Sequence, residues 1–174
     1  MSLSVPWQAK TLQISELRPN DVVVFSTNSS GFHGAGIAAL AMRGVADRNW
    51  RQDQSFLRAM NAPQGSPERV GVAAVYGIAR GPMQGRICWG YGIQTVTRPG
   101  ARRSVSSQDI IKQLEELLKY AKNNSALHFI VLPIAEGYAG YSRTETTQMW
   151  AKALEATDPN EAVPSNMEFY GGNA

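Results

Sequence analysis

Two continuously apolar segments constrain the fold of this sequence more than any other feature. Residues 21–25 read DVVVF, and residues 127–135 read LHFIVLPIA. Apolar runs of this length, without alternating polar residues, are typical of strands that are buried on both faces of a sheet. Each run leads into a glycine-rich loop and then into a segment with apolar residues at helical spacing. The sequence therefore predicts an α/β fold in which these two strands lie in the interior of the sheet.

Further strands and helices are predicted from the remaining apolar patterns. Residues 70–79 and 86–96 are rich in β-branched and aromatic residues and flank a turn of glycine and proline, which favours a hairpin. The clearest helix covers residues 104–124, where Ser106 and Asp109 fit an N-terminal capping pattern. Two shorter elements complete the prediction: a helix over residues 53–60 and a strand over residues 167–170 that pairs at an edge of the sheet.

The length and composition fit one domain. The chain has 174 residues, of which 43% are apolar, so a hydrophobic core can form without disulfides or metals. We expect a single domain over residues 1–174, with residues 1–19 as an N-terminal extension. No apolar stretch is long enough for a signal peptide or a membrane span, which predicts a cytoplasmic protein without a membrane partner. The single cysteine and two histidines argue against a Cys/His metal site, and we expect no cofactor. The oligomeric state stays open.

Both glycine-rich loops follow the carboxyl end of a predicted buried strand. Residues 28–36 read NSSGFHGAG, and residues 136–142 read EGYAGYS before a helix that starts with a Ser142–Glu145 capping pattern. In open α/β sheets, ligands bind at the carboxyl ends of strands, and glycine lets a phosphate approach the N–H groups of a helix start. Two such loops at one edge would form a cleft suited to a diphosphate. Neither loop matches the P-loop pattern, and the first departs from GxGxxG, which disfavours those two nucleotide-binding classes.

The sequences around these two loops resemble the ligand loops of macrodomains, the ADP-ribose-binding module. DVVVFSTNSSGFHGAG is similar to the first loop, and LPIAEGYAGYSRTET is similar to the second. The resemblance is closest to small bacterial and phage macrodomain-like proteins, whose middle strand resembles GRICWGYGIQT, and it covers about residues 20–170. It implies a three-layer α/β/α sandwich with a mixed central sheet. It also implies a site for ADP-ribose or a related nucleotide diphosphate.

The resemblance implies roles for residues of the first loop. Asn28 stands where catalytic macrodomains contact the distal ribose, and Gly34, Ala35 and Gly36 stand where the loop passes under that ribose and the diphosphate. His33 lies within this loop and is a candidate to donate to a phosphate or to act as an acid or base near neutral pH. Two alternatives stay open: Asn28 as a turn residue that caps the local backbone, and His33 as a simply exposed side chain.

The resemblance also implies roles for residues of the second loop. The phosphates would be wrapped by Gly137, Tyr138, Ala139 and Gly140. Tyr141 stands where an aromatic side chain often flanks the ribose, and Glu136 is placed to orient a water molecule or a ribose hydroxyl. The alternatives are that both tyrosines pack beneath the loop, and that the Glu136 carboxylate turns away because it would repel phosphates.

The sequence departs from the family pattern at two points. Many macrodomains carry three consecutive glycines where this chain has HGAG, and an Asp near the start that reads the adenine amino group. Asp21 lies close to Asn28 in sequence, and Glu16 is the other candidate for that role. Because macrodomains include both hydrolases and pure binders, the resemblance leaves open whether an ADP-ribosyl or phosphate ester bond is hydrolysed.

Two other functions compete with nucleotide binding. The first is a protein-interaction module that keeps the macrodomain-like fold without an active pocket. The second is nucleic-acid binding through Arg98, Arg102 and Arg103, which cluster in the loop sequence RPGARR. Such a cluster is either a solvated loop or a patch that contacts phosphates.

Overall fold

A mixed sheet with two packed helices forms the described part of the protein. The computed structural model describes residues 5–28, 72–77, 85–98, 100–158, 160 and 162–172. The strands are β1 (Trp7–Gln8), β2 (Asp21–Asn28), β3 (Val72–Gly77), β4 (Gly85–Val96), β5 (His128–Val131) and β6 (Met167–Tyr170), and the helices are α1 (Ser107–Lys122) and α2 (Arg143–Thr157). Short 3-10 turns cover Ile14–Glu16 and Gly137–Ala139.

The strand order places β2 in the interior of the sheet. The described strands form a six-stranded sheet in the order β1-β6-β5-β2-β4-β3. All neighbouring strands are parallel except β3, which is antiparallel to β4. The predicted antiparallel pair of strands is therefore confirmed, as is the interior position of both apolar runs. Because β2, β4 and β5 are parallel neighbours, their carboxyl ends meet at one edge of the sheet, which we call the carboxyl edge.

Both faces of the sheet are buried, as the continuous apolar runs predict. Along β2, Val22 and Val24 belong to the hydrophobic cluster that includes the inner faces of both helices. Val23 and Phe25 point to the opposite face and are buried as well, at 4% and 1% exposure. The expected α/β sandwich with a mixed central sheet is confirmed by this arrangement. The predicted helix over residues 53–60, and the helical pattern after the first glycine loop, lie outside the described residues.

The two helices begin where their capping patterns predict. The Ser106 hydroxyl accepts a hydrogen bond from the Asp109 amide at 3.2 Å, and the Ser142 hydroxyl accepts one from the Glu145 amide at 3.1 Å. The Glu145 carboxylate returns a second bond by accepting from the Ser142 amide at 3.1 Å. These bonds satisfy N–H groups that a helix start otherwise leaves unpaired. Neither helix, nor any other helix in the described ranges, is long and apolar enough to cross a membrane.

The last strand does not lie at the edge of the sheet, so that prediction is wrong. Residues 167–170 pair with β5 on one side and with β1 on the other. The edge is taken by Trp7–Gln8, a strand of two residues that is too short to produce an alternating pattern in the sequence. Its Trp7 ring packs edge-on against Phe169, with ring centroids 5.5 Å apart. Packing of one aromatic residue therefore brings part of the N-terminal segment into the sheet.

One buried polar residue on α1 ties this helix to β4. The Gln113 side chain accepts a hydrogen bond from the Gln94 amide at 2.7 Å and donates one to the Gln94 carbonyl at 2.8 Å. On that side of β4, the described pairing with β3 extends no further than Tyr91. The Gln113 amide thus presents a donor and an acceptor to the strand, as a further strand would.

We predict that Gln113→Leu destabilises the protein by about 2–4 kcal/mol, because it leaves an N–H and a C=O of Gln94 buried without these partners. Gln108→Leu is the matched control, since Gln108 is exposed on the same helix. It should change the free energy of unfolding by less than about 0.5 kcal/mol. Urea denaturation followed by circular dichroism measures both values. Equal destabilisation by the two variants would contradict this role of Gln113.

Candidate functional site

Two loops meet at the carboxyl edge. The arginine loop (residues 97–106) follows β4, and the second glycine loop (residues 135–141) follows β5. The Arg103 amide donates to the Ala139 carbonyl at 2.8 Å, and the Tyr141 hydroxyl donates to the Val105 carbonyl at 2.8 Å. Since β2 lies between β4 and β5, these contacts join the loops of two strands that are not neighbours. They place both loops beside the end of β2, where Asn28 pairs with Val96.

The second glycine loop has an unusual backbone. Three of its residues have positive φ angles: Ala135 at 64°, Gly137 at 64° and Gly140 at 94°. The left-handed conformation costs a residue with a Cβ atom about 1–2 kcal/mol, so Ala135 is held there by its surroundings. Its amide donates to the Ser26 hydroxyl at 2.9 Å, and its carbonyl accepts from the Tyr141 amide at 3.0 Å. The loop is thus fastened to β2 and closed on itself.

Glu136 is paired with a cation from α2. Its carboxylate lies 2.6 Å from the Arg143 Nε atom. The same guanidinium donates to the Gly171 carbonyl at 3.0 Å and lies over the Trp7 ring, 4.5 Å from its centroid. Arg143 therefore joins the start of the second glycine loop to the ends of β1 and β6. The negative charge of Glu136 is matched by this contact, as expected if its side chain turns away from a phosphate.

Tyr141 is packed beneath the two loops. Its side chain is mostly buried, with 9% of the residue exposed, and its hydroxyl donates a hydrogen bond to the Val105 carbonyl. The Arg103 guanidinium lies over its ring, 4.6 Å from the centroid. Burial raises the pKa of Tyr141 above its ordinary value, against a smaller opposing effect of Arg103. This geometry is the one that the packing alternative predicts for Tyr141.

Among the comparisons with known proteins, only the one with solved structures found matches, and these agree with the architecture. No protein-family model matches the sequence, and no curated protein sequence matches it. The structure is similar to the macrodomain of Mycobacterium tuberculosis DarG, with a TM-score of 0.57 and 15% identity over 95% of this chain and 97% of that chain. It is also similar to the macrodomain of Thermus aquaticus DarG, with a TM-score of 0.57 and 19% identity over 91% of this chain and 93% of that chain.

The chain has a macrodomain-like fold. The resemblance inferred from the two loop sequences is thereby confirmed at the level of the fold.

Within this macrodomain-like fold, the predicted site residues divide into described and undescribed ones. Gly137, Ala139 and Gly140 form the turn at the carboxyl edge, and the backbone of Tyr138 lies between them. Asn28 ends β2 at the same edge, and its side chain lies outside the described parts of the structure. Outside them too are His33, Gly34, Ala35 and Gly36.

The two candidates for reading an adenine lie at the opposite edge of the sheet. Asp21 begins β2 while Asn28 ends it, so about 23 Å of strand separates them. The Asp21 carboxylate contacts His128 Nδ1 at 3.0 Å, and Glu168 contacts the other ring nitrogen at 2.8 Å. Asp21 and Glu16 both line a cavity of about 370 Å³ at this edge. A base reader for a ligand at the carboxyl edge would have to come from other residues.

The arginines of the predicted basic patch have different environments in this macrodomain-like protein. Arg103 forms two hydrogen bonds with Glu145, at 2.8 and 3.0 Å, across 42 residues of sequence. Arg98 and Arg102 are exposed, and neither forms an ion pair with the described residues. Sequence reasoning identified Glu145 only as a capping residue, because a pair so distant in sequence leaves no local pattern.

The Arg103–Glu145 pair shifts the pKa values of both side chains. Hydrogen bonds from Arg103, and then from the Ser142 amide, lower the pKa of Glu145 to about 2 from an ordinary value of 4.5. The pKa of Arg103 is raised by the same hydrogen bond. Because the carboxyl pKa is lowered in the folded state, the stabilising effect is complete above about pH 4.5 and is lost as the pH falls towards 2.

We predict that NMR titration of the Glu145 side-chain carboxyl carbon gives a pKa near 2 in the unmodified protein and a value closer to 4.5 in Arg103→Gln. The matched control is Arg98→Gln, which removes one positive charge from the same loop without touching Glu145. It should leave the titration nearly unchanged. A Glu145 pKa near 4.5 in the unmodified protein would contradict the pair.

Proposed function

We propose that this protein binds ADP-ribose or a related nucleotide diphosphate at the carboxyl edge, with the phosphates on the second glycine loop. The observation that carries the proposal is the backbone of this loop, which combines three positive φ angles with a fixed attachment to β2. The macrodomain-like fold supports it, because it puts the loop at the edge where open α/β sheets bind ligands.

The open side of Gly137 supports a phosphate contact. A Cβ atom built at Gly137 would meet no described atom within 4 Å. No described residue accepts a hydrogen bond from the Gly137 amide outside the short turn itself. A backbone N–H group that the described residues leave without an acceptor is a favourable partner for an anion. The amides of Ala139 and Gly140 donate to carbonyls within the turn, at 3.4 and 3.0 Å. We therefore propose that residues 137–140 wrap the diphosphate and that the amides of Gly137 and Tyr138 donate to it, while Glu136 and Tyr141 hold the loop.

The first loop supplies the rest of the proposed site. In this proposal Asn28 orients the distal ribose, His33 contacts a phosphate, and Gly34, Ala35 and Gly36 pass beneath the ligand. If a bond of the ligand is cleaved, the chemistry falls to Asn28 and His33, because the carboxylate of Glu136 is occupied by Arg143. The proposal includes a bacterial or phage origin, which the resemblance of the loops implies, and a cytoplasmic location.

We predict that titration calorimetry detects ADP-ribose binding and that Gly137→Asn weakens it at least tenfold. Asparagine tolerates a φ of 64°, so the loop backbone is kept while a side chain fills the open space. ADP and AMP serve as shorter probes in the same titrations.

Gly172→Asn is the matched control for Gly137→Asn. Gly172 also has a positive φ, at 92°, and open surroundings, but it lies after β6 and the proposal gives it no contact with the ligand. Its variant should bind as the unmodified protein does. Absence of heat for ADP-ribose, ADP and AMP at millimolar concentration would reject nucleotide binding and favour the interaction-module alternative.

A further inference from the structure

The arginine loop places one guanidinium directly on the second glycine loop. The Nε, Cζ and Nη2 atoms of Arg102 each lie 3.3 Å from the position that a Cβ atom would occupy on Gly140. This distance is tighter than most contacts of a Cβ atom, so the absence of a side chain at Gly140 lets the guanidinium lie against the backbone. Arg102 therefore lies against the turn at Gly140, and the residue before the turn, Glu136, is paired with Arg143.

The backbone around Arg102 is fixed by hydrogen bonds. The Ala101 amide donates to the Arg98 carbonyl at 3.1 Å, and the Arg102 amide donates to the Gly100 carbonyl at 3.1 Å. The Ser104 hydroxyl accepts from the Thr97 amide at 2.8 Å, which closes the loop across its base. The bond from the Arg103 amide to Ala139 then fastens the loop to the glycine turn. These bonds hold the backbone of Arg102 beside the glycine turn.

The charge of Arg102 differs from that of the other two arginines beside the glycine loop. Arg103 is paired with Glu145, and Arg143 is paired with Glu136. Arg102 is exposed and makes no ion pair with the described part of the chain. It is therefore the arginine at this turn whose positive charge the described carboxylates leave unmatched. An unmatched guanidinium that lies against the glycine turn is suited to a phosphate, which it can bind with two parallel hydrogen bonds.

We propose that Arg102 is a phosphate-contacting residue that makes the site selective for diphosphates over monophosphates. This inference rests on the proposed function, because it assumes that the phosphates lie on the second glycine loop. Arg102 reaches the ligand from the β4 side, while the loop amides reach it from the β5 side. In a diphosphate, one phosphate lies on the loop amides and the other contacts Arg102. A monophosphate that lies on the amides does not contact Arg102.

The test is titration calorimetry of ADP-ribose, ADP and AMP with Arg102→Gln, Arg102→Lys and Arg98→Gln. Arg102→Gln should weaken ADP-ribose and ADP binding about 10- to 100-fold, the range expected for lost hydrogen bonds to a charged group. AMP binding should change less than threefold, so the preference for ADP over AMP shrinks. Arg102→Lys should recover part of the loss, because it keeps the charge without the planar fork. Arg98→Gln should have less than a threefold effect on every ligand.

The outcomes separate this inference from the proposed function. If the unmodified protein binds ADP-ribose, Gly137→Asn abolishes binding and Arg102→Gln binds normally, nucleotide binding stands and the role of Arg102 is overturned. If Arg98→Gln and Arg102→Gln weaken binding equally and high salt removes both effects, a diffuse positive field replaces the specific contact, which also overturns it. If the unmodified protein binds none of the three ligands, the proposed function fails and this inference fails with it. Unchanged melting temperatures show that all variants are folded.

Discussion

The interior position of β2 is the constraint on which the rest of the described structure depends. This strand has a parallel neighbour on each side, and its side chains from Asp21 to Phe25 are buried on both faces of the sheet. Parallel neighbours must be joined by crossovers, which return the chain over the sheet. The carboxyl ends of β2, β4 and β5 consequently meet at one edge. Loops that are far apart in sequence are adjacent there because β4 and β5 both pair with β2.

The sequence predicted those parts of the structure that depend on local patterns. The apolar runs identified β2 and β5, and the serine caps located the starts of both helices, since each signal is contained within a few residues. The predicted strand over residues 127–135 is longer than the observed one, His128–Val131. The apolar run continues past it, but Pro133 has no N–H group to pair with a neighbouring strand. The second glycine loop was also predicted from a contiguous stretch of sequence, EGYAGYS.

The remaining features depend on contacts between distant residues, and no local pattern encodes them. Trp7 joins the sheet through Phe169, and Arg103 pairs with Glu145 across 42 residues. The cluster RPGARR reads as one basic patch in the sequence, yet in the structure one arginine is paired with a carboxylate and another lies on a glycine. Charge composition gives the number of cations near a site, whereas the fold determines which of them keep their charge available to a ligand.

The double hydrogen bond between Gln94 and Gln113 has a consequence for how this protein can diversify. It holds the end of β4 and the first half of α1 together, so the chain between them is a closed segment with fixed ends. A change in the length of the arginine loop would therefore be absorbed at the carboxyl edge, without displacing α1 from the core. The surface beside the glycine loop can therefore change in length while the packed scaffold stays the same.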